Sequence, residues 1–365
     1  MEIEDITGLL ERFAPRMLQE DYDNAGLLVG NRKMTIHGVL ISVDMTDEVM
    51  EEAIAKQCDL IITHHPLIFK PLKRLNGDHY TERLVMEAIR RDIAIYSIHT
   101  NIDSVEGGVS SALAAKLGLK NTRVLSPRKG LLRKLATFVP EAHAEKVREA
   151  IFSAGAGMIG NYSSCSFNAA GQGTFLAQAH AHPFIGEIGK LHVENEIRIE
   201  TVFPQFIEQS VIKALIAAHP YEEVAYDIYP IDNEFSSIGY GIIGEIETET
   251  DELPFLEMVK QITQSRCLRY SPFCGKRIRK VAVCGGSGAF LIKEAEAAGA
   301  DVFITGDLKY HDFFEPDGKI LLADIGHFES EQFVCDVISS VIKEKFPNFA
   351  NFISGVNTNP LNCLY

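Results

Sequence analysis

Two adjacent imidazoles, His64 and His65, close the stretch Asp59-Leu60-Ile61-Ile62-Thr63-His64-His65-Pro66. Imidazole is the commonest metal ligand among side chains and titrates near neutral pH. Leu60 to Ile62 reads as a short strand buried on both faces of a parallel sheet. In open α/β sheets the ligand crevice lies outside the carboxyl ends of such strands, which is where this pair falls. On a regular strand the two rings would point to opposite faces. Pro66 stops the strand and biases His65 towards an extended backbone. At such an end both rings can face a crevice, but they chelate a single ion poorly, and two neighbouring ions suit them better. A solvated His-His turn is the plainer alternative, and the pair alone does not decide.

Other residues of the same chemistry recur at strand ends. His99-Thr100-Asn101-Ile102-Asp103 follows the apolar run Ile93 to Ile98, and Asp103 is the next ligand candidate. In Gly326-His327-Phe328-Glu329-Ser330-Glu331, His327 and Glu331 stand at i and i+4, on one face of a helix. A histidine and a carboxylate one turn apart form a standard ligand pair, although a solvated helix face can carry them too. This helix begins just after the apolar run Leu321-Leu322-Ala323, at the crevice side.

Together His64, His65, Asp103, His327 and Glu331 offer three imidazoles and two carboxylates. That is enough for two divalent ions with a carboxylate or hydroxide between them. The mix suits Zn, with Fe or Mn as alternatives, and argues against Ca or Mg. Asp307 and His311 follow another strand end and are candidates for supporting or acid/base roles; a structural histidine fits as well. Lys70, Lys73 and Arg74 follow the His-His strand and would hold an anionic substrate or simply form a basic loop. Gly285-Gly286-Ser287-Gly288 offers an anion cradle or a tight turn, and is neither a Walker loop nor a dinucleotide fingerprint. The acidic loop Glu20-Asp21-Tyr22-Asp23-Asn24 could touch a metal, but reads more readily as a solvated turn.

The elements that position these residues are of α/β type. Ile3, Ile6, Leu10 and Phe13 form a helical stripe. Val39 to Val43 is a buried strand, and Thr46 or Asp47 caps a helix with Val49, Met50, Ala53 and Ile54 inward. Strands follow at Val281 to Cys284 and Asp301 to Thr305, and Gly326 opens a helix through Ile338. A repeat links the ends of the chain. Val39-Leu40-Ile41-Ser42-Val43 aligns with Val281-Ala282-Val283-Cys284-Gly285, and Asp59 to Thr63 with Asp301 to Thr305, each 242 residues on (281 − 39). The outer thirds therefore read as two related β-α-β units of one bilobal domain.

Between them, composition shifts near Pro127-Arg128-Lys129-Gly130. Strands are expected near 135–139, 162–167 with a further piece near 174–177, 196–203 and 224–229. Helices are expected near 142–153 and 205–218. That order is ferredoxin-like. The expected division is a first lobe over 1–130, an inserted ferredoxin-like α+β domain over 131–232, and a second lobe over 233–365. His180, His182, His192 and His219 follow no ligand spacing and read as surface or interface residues.

The 365 residues carry 46% hydrophobic and 23% charged residues, an ordinary globular composition with room for two or three domains. A net charge of −15 argues against a general nucleic-acid binder. Seven scattered cysteines without a C-x-x-C pair fit free thiols in a reducing cytoplasm. Met1-Glu2-Ile3-Glu4-Asp5 has no apolar signal core behind it, and no apolar run approaches membrane-spanning length. A cytoplasmic protein is expected.

The motifs Ile62-Thr63-His64-His65-Pro66-Leu67, His99-Thr100-Asn101-Ile102-Asp103, Thr305-Gly306-Asp307-Leu308-Lys309-Tyr310-His311-Asp312 and Gly326-His327 through Glu331 recur in one order over both outer thirds. In this the chain resembles the NIF-three-like family, known also as GTP cyclohydrolase I type 2 homologues. Ile102 and Phe328 are mild departures that touch no ligand. The resemblance implies metal ligands at His64, His65, Asp103, His327 and Glu331, with Glu331 bridging. It also implies a ring-shaped homohexamer with the metals facing an internal cavity. The inserted segment looks like the extra domain of longer bacterial members, similar to the PII and CutA proteins. Two function classes follow. One is a metal-dependent hydrolase acting on a nucleotide or phosphorylated small molecule, with GTP ring opening as the reaction the resemblance suggests. The other is a non-enzymatic ring that stores or delivers metal, or senses a small molecule through its inserted domain.

Overall fold

The computed structural model describes residues 1–364. They form two compact units, one of Met1–Pro127 with the residues from Ser237 onward, the other of Arg128–Ser236.

The first unit is a mixed α/β structure with two sheets. In one, the spatial order of strands is Gly26–Val29, Ala94–Ser97, Leu60–Thr63, Gly38–Ser42 and Ala350–Ile353. The last four are parallel, and Gly26–Val29 runs antiparallel at the edge. Gly38–Ser42, Leu60–Thr63 and Ala94–Ser97 are buried along their whole length, so each is a continuous apolar run rather than an alternating one. Thr46 caps the helix Asp47–Ala55 by accepting the Val49 N–H. The other sheet is ordered Arg269–Tyr270, Leu321–Asp324, Val302–Gly306, Arg277–Ser287, Phe235–Asp251 and Lys120–Arg128. Val302–Gly306 is parallel to both of its neighbours.

The repeat seen in the sequence reappears in the strand register. Val39 pairs with Leu60 as Val281 pairs with Val302, and Ile41 with Ile62 as Val283 with Ile304. Asp59 accepts the His37 N–H with its carboxylate, and Asp301 accepts the Arg279 N–H in the same way. The copies part after Cys284. Ser42 pairs with Thr63 in the first, but in the second a bulge brings Ser287 opposite Gly306.

Two elements differ from expectation. Ala350–Ile353, which the sequence reading left without structure, adds a parallel strand to the first sheet beside Gly38–Ser42. The helix expected from Gly326 through Ile338 is two helices, His327–Glu331 and Val334–Lys345, interrupted where the Gln332 side chain reaches the Thr263 carbonyl at 2.9 Å.

The second unit runs strand Leu132–Pro140, helix Ala144–Ser153, strands Phe167–Leu176 and Leu191–Pro204, helix Glu208–Ala218, strand Tyr226–Ile231. Its sheet is ordered Phe167–Leu176, Leu191–Pro204, Leu132–Pro140, Tyr226–Ile231, antiparallel throughout. Leu135, Val139, Val147, Ile151, Ile199, Phe203, Val211 and Leu215 make its core. The expected strand over 162–167 is not formed; residues 167–176 instead make one unbroken strand through Gly171 and Gly173. Glycine there accommodates a close neighbour: a Cβ on Gly173 would lie 2.2 Å from Glu196 Oε2. His219, expected at a surface, is buried, with its Nε2 3.0 Å from the Phe138 carbonyl.

The junction of the units suggests a direct test. A Cβ on Gly239 would lie 2.8 Å from Pro127 Cα, so the chain leaves the first unit and re-enters it at nearly one point. Replacing residues 128–236 by a short Gly/Ser bridge is expected to leave a folded, metal-binding protein. Circular dichroism showing an unfolded chain would refute the independence of the units.

Candidate metal centre

The register of the parallel strands brings the chemistry-bearing residues together. Thr63 pairs with Ser97, so His64-His65 and His99 emerge side by side from neighbouring strand ends. Thr63 Oγ1 donates to the His65 carbonyl at 2.7 Å and shapes this exit. From the second sheet, Asp307 follows Val302–Gly306, and His327 opens a helix just beyond Leu321–Asp324. His65 and His327 Nε2 atoms stand 3.2 Å apart, joining the two sheets at one point.

Each imidazole is held by one nitrogen. His64 Nδ1 is 2.9 Å from the Ile98 carbonyl, His65 Nδ1 2.7 Å from Asp44 Oδ1, His99 Nδ1 2.7 Å from Asp23 Oδ1 and His327 Nδ1 2.7 Å from Asp307 Oδ2. Carbonyls and carboxylates only accept, so every Nδ1 carries the proton and donates it. Nε2 is then left for a ligand, the arrangement expected of metal-binding histidines.

What the Nε2 atoms face is a set of acceptors. Glu331 Oε2 lies 3.0 Å from His65 Nε2 and 3.1 Å from His327 Nε2, and Glu331 Oε1 lies 3.6 Å from His64 Nε2. Asp103 Oδ1 is 3.7 Å from His64 Nε2. His64 Nε2, Asp103 Oδ1 and Glu331 Oε2 are buried and lack hydrogen-bond partners among the described residues. Three orphaned polar atoms on converging side chains would be costly unless a proton or a cation sits among them. The donor set fits a divalent ion. Two groups meet the spacing, His64-His65-His99 and His65-His327-Glu331, and they share His65.

The electrostatics agree. Burial would raise the Glu331 carboxyl, but His64, His327 and His65 hold it well below its ordinary value. Burial, and Glu331 beside it, push Asp103 up. Burial would lower His65 and His327, yet the carboxylates on both sides raise them to about 9 and about 11. Asp307 is lowered by its hydrogen bond with His327. Asp44 and Asp23 are lowered against the effect of burial, chiefly by His65 and His99, Asp23 to about 2.

The structure thus gathers all five expected ligands, His64, His65, Asp103, His327 and Glu331, and adds His99. Asp23, expected in a solvated turn, has a fully buried side chain that braces His99 and Thr100. Asp44, which the sequence reading passed over, braces His65 and accepts from Thr358 Oγ1 at 2.7 Å. Asp44 lay within reach of the strand-end argument, since it follows Gly38–Ser42 as His65 follows Leu60–Thr63. Asp307 orients His327 from a left-handed backbone at φ +57. His311 is exposed, its ring against Tyr310 and Phe314. Lys70, Lys73 and Arg74 are exposed on the loop after His65. The Gly285–Gly288 segment is neither a tight turn nor an open cradle; Gly285 to Ser287 continue the strand Arg277–Ser287 through its bulge. The Gly286 and Gly288 N–H groups already donate to Ser330 Oγ and Thr305 Oγ1. A Cβ on Gly286, at φ +63, would lie 2.2 Å from Glu331 Oε1.

Bracing gives a measurable outcome. Asp44→Asn is expected to weaken Zn²⁺ binding about 10–100-fold in a protein that still folds by circular dichroism. Equal affinity by competition with a chelating dye would refute the orienting role. Affinity is also expected to fall as pH falls, because ions displace the protons on His65 and His327. Those raised values stabilise the metal-free fold below about pH 6.5, a contribution lost as pH rises through about 9 for His65 and about 11 for His327. Added Zn²⁺ should therefore raise the melting temperature more at pH 8.5 than at pH 6.

The sequence model of the family described as Duf34/NIF3 (NGG1p interacting factor 3) matches residues 1–360. A Bacillus subtilis protein named GTP cyclohydrolase 1 type 2 homolog is 39% identical over 99% of this chain and 98% of its own. The crystal structure of a Bacillus cereus protein related to NIF3 superposes with a TM-score of 0.87 at 40% identity, covering 100% of this chain and 99% of that one. A Staphylococcus aureus protein of known structure superposes with a TM-score of 0.79 at 28% identity, covering 100% and 99%.

Proposed function

Since the chain belongs to the Duf34/NIF3 family, we propose that it is a metal-dependent hydrolase with two divalent ions per chain, acting on a nucleotide or phosphorylated small molecule. The observation that carries this reading is the convergence of the Nδ1-anchored imidazoles of His64, His65 and His327 on Asp103 and Glu331, with His99 beside His64 and His65. His64, His65, His99, Asp103, His327 and Glu331 would hold the two ions, each imidazole through its Nε2. Zn²⁺ suits this nitrogen-rich set. When bound, such ions supply Lewis acidity and lower the pKa of water towards neutrality.

The protein's own part is positional. Asp44, Asp307 and Asp23 fix the imidazole planes and keep Nε2 free for ligation. Gly286 leaves the space that the Glu331 carboxylate occupies. Lys70, Lys73 and Arg74 would bind the anionic end of a substrate at the rim. The name shared by the relatives makes GTP the first compound to try. Elemental analysis is expected to give about two ions per chain, since six ligands exceed one tetrahedral ion; Glu331→Ala should lose at least one of them. Turnover of an anionic substrate should disappear with His65→Ala and with chelator. Charge reversal at Lys73 and Arg74 should raise KM more than it lowers kcat, because those groups bind ground and transition states alike. Turnover that survives chelation and His65→Ala would overturn the reading. A two-metal protein silent against nucleotides and phosphoesters would favour a metal-carrying assembly instead.

We read residues 128–236 as a ferredoxin-like insertion, supported by the strand order described above and its βαββαβ succession. The assembly proposed is a homohexamer. Light scattering at micromolar concentration should give about six times 40.5 kDa, and a monomer or dimer would refute it.

A further inference from the structure

The second unit contains a cavity of about 610 Å³, within the range typical of small-molecule sites. Its wall is aromatic: Phe138, Phe175, Phe184 and Tyr221 line it together with Glu196 and Arg198. Tyr221 lies 6.1 Å from Phe175 and 6.4 Å from Phe184, ring centre to ring centre.

Glu196 is the unusual member. It is only 9% exposed, where a carboxylate ordinarily has a cationic partner. It has none. Its Oε1 accepts from Tyr221 O–H at 2.8 Å. Burial, then Glu196, push that phenol up, so Tyr221 remains a donor. The other oxygen, Oε2, has no hydrogen-bond partner among the described residues. Arg198 is committed elsewhere, 2.8 Å from Glu200 and with its guanidinium 5.9 Å from the Phe138 ring. Glu222 and Glu223 stand exposed at the rim.

The backbone is cut to suit this carboxylate. Gly171 pairs with Glu196 across the sheet, and nothing lies within 4 Å of where its Cβ would be. Gly173 admits the Glu196 head group, as its clash distance shows. His219 fixes Tyr221 in turn, its Nδ1 accepting the Tyr221 N–H at 3.1 Å while Nε2 donates to the Phe138 carbonyl. A buried acceptor with one free oxygen, aromatic faces around it and acidic residues at the mouth is complementary to a cation with an apolar body.

We propose that this cavity binds a primary organic ammonium ligand, its N–H donating to Glu196 and its apolar body packed among Phe138, Phe175, Phe184 and Tyr221. The site lies wholly within the second unit and does not depend on the metal chemistry proposed above.

Calorimetry on the full chain tests it with three probes of one shape: 2-phenylethylamine, 2-phenylethanol and 3-phenylpropanoate. The ammonium is expected to bind at least about tenfold more tightly than the alcohol, and the carboxylate not at all. Glu196→Gln, nearly isosteric, should abolish the preference for the ammonium. Phe184→Ala, at an exposed position, should weaken ammonium and alcohol alike. Circular dichroism and the melting profile should be unchanged in both variants, which shows that they fold. The proposal is overturned if the alcohol binds as well as the ammonium, if the carboxylate is preferred, if Glu196→Gln leaves ammonium affinity intact, or if no probe binds up to about 10 mM, a concentration at which even weak fragments register.

Discussion

A hydrogen bond from Nδ1 to a fixed oxygen decides which way each imidazole of the centre faces, and most of the first unit exists to supply those oxygens. Asp23, Asp44 and Asp307 and the Ile98 carbonyl come from four separate segments. Each removes one rotational choice from a ring and one tautomer from its chemistry. Without the anchors the Nε2 atoms would turn towards water. With them, lone pairs meet carboxylate oxygens at 3.0 to 3.7 Å. Such a gathering stores unfavourable energy until positive charge enters it, so proton or metal occupancy and fold stability are linked.

Duplication accounts for how one chain can build a centre fed from two sides. Thr63 and Thr305 sit at equivalent positions, and each hydroxyl shapes the backbone beyond a strand. Thr63 Oγ1 donates to the His65 carbonyl, and Thr305 Oγ1 donates to the Gly286 carbonyl while accepting from Gly288 N–H. The first copy spends its strand end on two ligands. The second spends it on Asp307 and takes its ligands from the next strand end, at His327 and Glu331. The bulge after Cys284 is where the copies part, and Gly286 beyond it leaves room for Glu331. Equivalent scaffolds thus yield inequivalent contributions, as a site with two different halves requires.

The residues of the candidate centre were legible because they obey local rules: His64 and His65 end an apolar run, and His327 and Glu331 share a helical face. The repeat was legible because buried parallel strands leave runs with one fixed spacing, Val39 to Val281 and Asp59 to Asp301. Asp23 was not, since it braces His99 across 76 residues and its neighbours Asp21 and Tyr22 are exposed. Ala350–Ile353 escaped because three of its four residues are exposed and none is buried, unlike the buried strands beside it. Gly173 leaves room in the sheet for the Glu196 head group, a tertiary reason no local pattern carries.

Net charge sets the last constraint. At −15 the chain presents a field that raises the local concentration of cations and opposes anions. Divalent ions approaching Glu331 and Asp103, and an ammonium approaching Glu196, move with that field. The anionic substrate proposed for the metal centre moves against it. A hydrolase of this charge therefore needs a local reversal of sign at the mouth of its site. Lys70, Lys73 and Arg74 follow His65 directly, on an exposed loop where no carboxylate pairs with them among the described residues. Left unpaired, their charge is available to a phosphate rather than spent on a surface salt bridge, which would contribute little to stability. The position of that loop in the chain gives the proposed anion a route that the overall charge alone would deny it.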